Sequence, residues 1–290
     1  MRLRNVLLAL GWLIPATATA HPGTGIVIDR LGNVYFVDMV SGVWKAEPSG
    51  ALTHIPGPGF HWLALDEGNA LAAAPLPHGS AGDIVRLGAT PTLVLSSDVP
   101  IAIGAGGALY YPVRRPSLQM VRMRPSGETA VLATPAARPG SAPLREINDV
   151  ALGPDGSLYF TENDAVRRID GGGKVSTLAD RVSASRCASV KGIERESLPL
   201  LRGLAVDASG TIYVAATGCG SVLKITSAGA VSTVFQGDGE WSPTGIALSG
   251  TDVYVLEFLG AGSDDRPSMV PRVRRIAANG TSAVIATARR

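Results

Sequence analysis

The sequence predicts an all-β protein folded as a six-bladed β-propeller, with four antiparallel strands in each blade. A pattern of apolar strand, glycine turn and second strand recurs six times, most clearly over residues 26–36, 150–162 and 204–214. Self-similarity at a spacing of about forty residues, with four strands per unit, is the signature of propeller blades. The 35 glycines and 20 prolines, and the absence of long amphipathic helical patterns, favour many short strands joined by turns.

The N-terminal segment lies outside this repeat. Two arginines near the start precede a short apolar stretch at 6–14, and an A-x-A site follows at 18–20. These are the three parts of a secretory signal, and the apolar stretch is too short to span a bilayer. We therefore predict a cleaved signal peptide over residues 1–20 and a secreted or periplasmic protein; an ordinary apolar N-terminus is the alternative.

The charge of the mature chain excludes one class of partner. The formal charge of +2 falls to about zero when Arg2 and Arg4 leave with the signal peptide. A neutral chain offers no electrostatic basis for binding nucleic acid. No later apolar run is long enough to span a membrane. We expect a monomer whose partner is a small molecule or a protein.

Each repeat opens with a strand in which large apolar residues flank a small central one, usually alanine. This pattern suits the innermost strand of a blade, because strands crowd together near the central axis. The six opening segments are 24–29, 61–66, 99–104, 148–153, 202–207 and 244–249.

A glycine turn and a second strand follow in most repeats, and the turn glycine can adopt a positive φ. Third and fourth strands are visible in the later repeats, for example at 166–169 and 175–178. The second and third repeats are the most degenerate, so their boundaries are the least defined. The second strand usually carries a tyrosine, as at Tyr35, Tyr110, Tyr159, Tyr213 and Tyr254.

The six repeats predict a single domain over residues 21–290, because one blade cannot bury both of its faces alone. A β-sandwich or a pair of small β domains is the alternative for so many short strands. The self-similarity of the repeats favours the propeller.

The run from Gly153 to Glu162, followed by residues 166–169, resembles NHL-type repeats. It is also similar to the repeats of the gluconolactonase/regucalcin family and, more weakly, to those of virginiamycin B lyase. The resemblance covers almost all of the mature chain and implies a propeller. It implies little about the reaction, because one fold hosts many activities.

Two positions of every repeat lie at one face of a propeller, here called the top. The residues that precede the inner strands are Thr24, His61, Val99, Asn148, Arg202 and Thr244. The residues that end the second strands are Asp38, Ala74, Val113, Glu162, Ala216 and Glu257. From these we predict a ligand-binding rim, with Arg202 suited to a carboxylate. Its proposed members are Thr24, Asp38, His61, Asn148, Arg202 and Thr244.

The rim is rich in oxygen ligands, which suit a hard divalent cation, Ca²⁺ above all. The possible metal ligands are Asn148, Glu162, Glu257 and Asp38. A bound metal could polarise a lactone or ester, and the candidate catalytic groups are Glu162, Glu257 and His61. The alternative for the three carboxylates is structural, since acidic groups at strand ends often bond to loop donors or ion-pair partners.

The gluconolactonase resemblance implies a metal held by a glutamate, two asparagines and an aspartate near the starts of inner strands. Asn148 matches one asparagine, but Thr24 stands in place of the glutamate and Arg202 in place of the aspartate. Val99 lies in the region of the other asparagine. An arginine would repel a divalent cation. The departures favour an exported, non-catalytic propeller that binds a small molecule or protein at its top face over a metal-dependent lactone or ester hydrolase.

Cys187 and Cys219 are the two cysteines of the chain. In an oxidising compartment such a pair predicts one disulfide, and both residues fall in loops expected at the top face. Two buried free thiols are the alternative.

Overall fold

The structure is a computed structural model that describes residues 22–78, 83–88, 90–135, 139–182, 199–237, 239–260 and 268–288. The predicted signal peptide at 1–20 and Cys187 lie outside the described residues. Short 3-10 turns occur at Ala105–Gly107 and Thr217–Cys219. Over the described ranges, no helix is long and apolar enough to cross a membrane.

Six antiparallel sheets form six blades, and each blade takes its strands from one continuous stretch of chain. Blade 1 contains β1 (Ile26–Ile28), β2 (Val34–Asp38), β3 (Gly42–Ala46) and β4 (Leu52–Pro56). Blade 2 contains β5 (Trp62–Asp66), β6 (Ile84–Leu87) and β7 (Thr92–Ser96). Blade 3 contains β8 (Ala102–Ile103), β9 (Leu109–Val113), β10 (Gln119–Met123) and β11 (Thr129–Ala133).

The last three blades each have four strands in sequential order, as blades 1 and 3 do. Blade 4 contains β12 (Asp149–Leu152), β13 (Leu158–Thr161), β14 (Val166–Ile169) and β15 (Val175–Ala179). Blade 5 contains β16 (Leu201–Val206), β17 (Ile212–Ala216), β18 (Ser221–Ile225) and β19 (Val231–Gln236). Blade 6 contains β20 (Trp241–Ser249), β21 (Asp252–Leu259), β22 (Val270–Ile276) and β23 (Ser282–Thr287).

The first strand of every blade lies at the axis. These inner strands contact one another in the order β1, β5, β8, β12, β16 and β20, and β20 returns to β1. Each inner strand is the terminal strand of its sheet, so one of its backbone edges faces the axis. The six-bladed β-propeller predicted from the repeats is confirmed.

The turns after the inner strands follow the predicted chemistry. The Asp29 carboxylate accepts the backbone N–H groups of Leu31 and Asn33, both at 2.9 Å. Asp207 bonds in the same way within blade 5. Gly32 follows with φ of +81°, in the left-handed region that glycine adopts without steric cost.

Blade 2 departs from the repeat. Its described strands run in the order β5, β7, β6, so β5 pairs directly with β7. Residues 67–78, where the sequence predicts a second strand ending at Ala74, instead form turns that bury Leu71 completely. Prolines in this segment lack the N–H that a strand ladder needs. The Arg86 guanidinium donates to the carbonyl oxygens of Leu71 and Ala74, and these bonds fix the turns.

Neither blade 6 nor blade 1, as described, takes a strand from the other. The two blades are therefore joined by side-chain packing and hydrogen bonds. The Thr244 hydroxyl donates to the carbonyl oxygen of Gly23 at 2.7 Å. An apolar cluster that includes the fully buried Phe36 and Phe258 fills the joint. The ring is therefore closed by close packing between its first and last blades.

Gly245 lies at this joint, and we expect Gly245→Ala to destabilise the ring. A Cβ atom at position 245 would stand 2.2 Å from the carbonyl oxygen of Thr24, a backbone atom of blade 1. Overpacking of this kind costs about 1–3 kcal/mol, which should appear as a lower free energy of unfolding in urea.

The matched control is Gly171→Ala in a turn of blade 4. No atom of the described residues lies within 4 Å of a Cβ placed there, so we expect no loss of stability. Equal unfolding midpoints for the two variants would contradict closure of the ring by backbone contact at Gly245.

Candidate functional site

Glu257, a predicted rim carboxylate, is fully buried beside two arginines of β22. Its Oε2 accepts a hydrogen bond from Nε of Arg272 at 2.6 Å, and its Oε1 lies 3.1 Å from Nε of Arg274. The Cζ atom of Arg272 stands 3.9 Å from the centroid of the Trp241 ring. Glu257 thus neutralises two largely buried cations inside blade 6.

Glu162 has an equivalent arrangement in blade 4. Its Oε2 accepts from a terminal nitrogen of Arg167 at 2.8 Å, and both side chains are buried. The hydrogen bond that Arg167 donates to Glu162 raises the pKa of the Arg167 guanidinium. Both glutamates therefore face the arginine on the next strand of their own blade.

The Asp38 carboxylate stabilises the turn between β2 and β3. Its carboxylate accepts hydrogen bonds from the Val40 N–H at 3.0 Å, the Ser41 hydroxyl at 3.1 Å and Nε1 of Trp44 at 3.2 Å. These are the local bonds expected of an acidic residue that shapes a turn.

The predicted metal ligands do not fit a shared cation site in the part of the chain that the structure describes. A divalent cation requires several oxygen ligands that converge on one point. No three His, Cys, Asp or Glu side chains of the described ranges converge in this way. Asp38, Glu162 and Glu257 each bond donors of their own blade, while the amide nitrogen of Asn148 donates to the Leu201 carbonyl at 3.0 Å.

The other predicted rim residues lie at the starts of the inner strands, where several of their bonds join neighbouring blades. The Thr24 N–H donates to the His61 carbonyl at 2.8 Å, which joins blades 1 and 2. The Arg202 carbonyl accepts from the Thr161 hydroxyl at 2.7 Å, which joins blades 4 and 5. Thr244 is fully buried at the closure of the ring. Much of the rim chemistry is thus structural.

A cavity of about 750 Å³ follows the axis and is lined by the inner strands of all six blades. This volume lies within the usual range for small-molecule pockets, about 300–1,000 Å³. Its wall is mainly aliphatic, with side chains such as Ile26, Leu63, Ile101, Leu204 and Ile246. We call this cavity the channel.

The mouth of the channel lies at the face opposite the rim, here called the bottom. The lining residues at this end, including Gly68 and Gly106, are exposed. Arg30 is 86% exposed there, and its Nε lies 2.5 Å from Oε2 of Glu67. A solute therefore has access to the channel from the bottom face.

The top end of the channel is constricted. The Trp62 indole reaches from blade 2 to blade 4, where its Nε1 donates to the Asn148 carbonyl at 3.1 Å. Between the other blades, glycines bring the inner strands together. A Cβ at Gly25, Gly203 or Gly245 would lie within 2.7 Å of an atom of the next blade. Trp62 and these contacts close the end of the channel nearest the rim.

Asp149 lines the channel near this closed end. Its Oδ1 accepts the Val150 N–H at 3.0 Å, and its Oδ2 accepts the Leu204 N–H of blade 5 at 3.3 Å. Burial raises the pKa of the Asp149 carboxyl to about 8, because two neutral amides compensate only part of the lost hydration. A buried carboxyl with a strongly raised pKa inside a cavity marks a candidate binding site.

Sequence reasoning missed Asp149 and Trp62. Both follow a rim residue directly, at the position where three other repeats have Gly25, Gly203 and Gly245. The aligned repeats therefore contained the signal: a carboxylate and an indole replace glycine where the strands approach most closely.

No protein-family profile and no curated protein matches the sequence. The fold and the channel nevertheless define a class, the six-bladed β-propellers. Among solved structures, the gluconolactonase of Xanthomonas campestris is 15% identical, with 82% of this chain and 83% of that chain covered and a TM-score of 0.54.

Two further neighbours belong to the groups whose repeats the sequence resembles. The virginiamycin B lyase of Staphylococcus aureus is 14% identical over 91% of this chain and 84% of that chain, with a TM-score of 0.52. Regucalcin of Agrobacterium tumefaciens, described as a calcium-binding protein, is 19% identical over 83% of each chain, with a TM-score of 0.50. At these identities the likeness shows the fold alone.

Proposed function

We propose that this propeller is an exported protein that binds a small molecule in its channel. The supporting observation is the coincidence of an aliphatic cavity of about 750 Å³ with a partly buried carboxyl of raised pKa, Asp149, near its closed end. Pockets of this composition bind ligands by burying an apolar body and orienting it with a few polar groups. The channel suits a ligand better than the rim, since the rim carboxylates already bond to donors of their own blades.

We do not propose a metal-assisted lactone or ester hydrolase activity for this chain. That reaction would assign a metal or a proton transfer to Glu162 and Glu257. Each of these carboxylates neutralises buried arginine instead. If either carboxylate bound a metal or took up a proton, a buried arginine would lose its counter-ion.

Blocking the mouth tests the proposed function. Gly68 lines the mouth, and within the described ranges the one atom near a Cβ placed there is Asp66 Oδ1, at 3.7 Å. Gly68→Trp should therefore fold normally and obstruct entry. With hexan-1-ol as the probe in saturation-transfer NMR, we expect binding to the native protein and binding weaker by about tenfold or more in the variant.

Gly171→Trp is the matched control, because position 171 is also open but lies in a turn of blade 4 away from the channel. It should bind hexan-1-ol as the native protein does. Equal binding by all three proteins would place the alcohol elsewhere and contradict the proposal.

Export is the second part of the proposal, and the cysteines belong to it. Cys219 is 5% exposed in the hydrophobic core between blades 4 and 5, and we propose that it pairs with Cys187. We expect the exported protein to begin at residue 21 by mass spectrometry. Unfolded without reductant, it should show no reactive thiol, and after reduction it should show two. Two labelled thiols before reduction would contradict the disulfide, and a retained segment 1–20 would contradict the processing.

A further inference from the structure

The charged side chains that line the channel are unbalanced. Among the residues that the structure describes, they comprise three carboxyl groups, Asp66, Glu67 and Asp149, and one cation, Arg30. Arg30 lies at the exposed mouth and is paired with Glu67. Asp66 accepts the Leu71 N–H at 2.6 Å and is committed to the turns of blade 2. The lining therefore attracts a cation, and Asp149 is the carboxyl near the end where a bound ligand would stop.

Asp149 retains acceptor capacity. A carboxylate offers about four lone-pair sites, and the two backbone amides use two of them. Thr24 lines the same part of the channel, is 6% exposed, and has a hydroxyl without a hydrogen-bond partner in the described part of the chain. Two polar groups from opposite sides of the ring thus remain available beside the closed end.

The groups around this end suit an ammonium head. An ammonium has three donors and no acceptor, so a carboxylate and a hydroxyl are suitable partners. Inner-strand edges also present backbone carbonyls toward the axis. The Trp62 indole adds an aromatic face of the kind that attracts cations. The aliphatic wall below would bury an alkyl body.

We infer that the channel binds a primary alkylammonium ligand, whose nitrogen donates to Asp149 and whose apolar chain extends along the wall toward the bottom mouth. This inference rests on the proposed function, because it assigns the ligand class of the same channel. It differs from the predicted rim site in face, in residues and in the charge of the ligand.

Three probes of equal length test the inference: hexylamine, hexan-1-ol and hexanoate, titrated by calorimetry into the native protein at about pH 9, where Asp149 is mostly ionised and hexylamine is still an ammonium. A charge-assisted hydrogen bond should make hexylamine bind about tenfold or more tightly than hexan-1-ol. Hexanoate should bind more weakly than the alcohol, since a second carboxylate would lie beside Asp149. Hexanoate or hexan-1-ol binding as tightly as hexylamine would overturn the inference.

Asp149→Asn is the matched variant, because it keeps the shape of the side chain and removes the charge. It should lose most of the preference for hexylamine over hexan-1-ol, measured as the ratio of their dissociation constants, and circular dichroism shows whether the variant is folded. An unchanged preference for the amine would overturn the assignment to Asp149. If the variant does not fold, the ranking of the three probes in the native protein still decides the ligand class.

Gly68→Trp separates the inference from the proposed function. If hexan-1-ol is excluded by this variant while the native protein shows no preference for the amine, the channel function stands and the ammonium inference fails. If none of the three probes binds the native protein at millimolar concentration, both fail.

Discussion

Glu257→Gln will lower the free energy of unfolding by about 3–5 kcal/mol, the range measured when one partner of a buried ion pair is removed. The Glu257 carboxylate is fully buried and lies within 3.1 Å of the Nε atoms of both Arg272 and Arg274. Glutamine preserves the size of the side chain but leaves two largely buried guanidinium groups without a counter-charge. Urea unfolding followed by circular dichroism at neutral pH measures the loss.

Asp252→Asn is the control in the same blade. Asp252 pairs with Arg275, whose side chain is 51% exposed. Exposed ion pairs contribute about 0–1 kcal/mol, so this variant should unfold close to the native protein. Similar losses for the two variants would contradict a special structural role for Glu257. So would a rise in Tm with Ca²⁺ that the native protein shows and Glu257→Gln lacks, because it would identify Glu257 as a metal ligand.

Asp149 should make the native protein less stable as the pH rises from about 4 to about 8. Its pKa is about 8 in the folded protein, against an ordinary value of 3.8. Within this window the folded state holds a proton that the unfolded state has released, so the free energy of unfolding falls by about 1.4 kcal/mol per pH unit. Below the window both states are protonated, and the full contribution is present.

Asp149→Asn removes this titration and keeps an oxygen that can accept a backbone amide. Relative to the native protein, the variant should gain about 4 kcal/mol in free energy of unfolding between pH 5 and pH 8. Urea unfolding of both proteins at each pH gives the difference.

Asp170→Asn is the control for this titration. Hydrogen bonds from the backbone amides of Lys174 and Gly172 hold the pKa of Asp170 below its ordinary value, although burial acts in the opposite direction. Asp170 is therefore ionised in both the folded and unfolded states above pH 5, and its variant should differ from the native protein by a constant amount. A constant difference for Asp149→Asn as well would contradict a buried carboxyl with a raised pKa.

The repeats predicted the blades because strand alternation and turn residues act locally. Asp29 and Gly32 form the turn that their types predict. The prediction of a second strand at 67–78 in blade 2 was wrong for a reason that is also local, because prolines and a glycine in this segment disfavour a strand. What replaces it depends on Arg86, which reaches back to carbonyl groups from a later strand.

The candidate site was less accessible to sequence reasoning. Glu162 and Glu257 are acidic residues at a predicted rim, and their types and positions alone allow metal binding, catalysis or ion pairing. The ion pairs are decided by Arg167 and Arg272, whose side chains lie on the adjacent strand and approach only when the hairpins form. Sequence reasoning placed Glu162 where the second strand of blade 4 ends, but the second strand of blade 6 runs two residues past Glu257 to Leu259. It could not assign the partners of either residue.

The sequence by itself determined the class of fold, the number of blades and the residues that begin each inner strand, because these follow from a period repeated along the chain. Only the tertiary structure decided which of those residues face an accessible cavity. Burial raises the pKa of the Asp149 carboxyl, and Trp62 closes the channel by reaching blade 4. Both properties arise from packing between blades, which exists only once the blades have assembled around the axis.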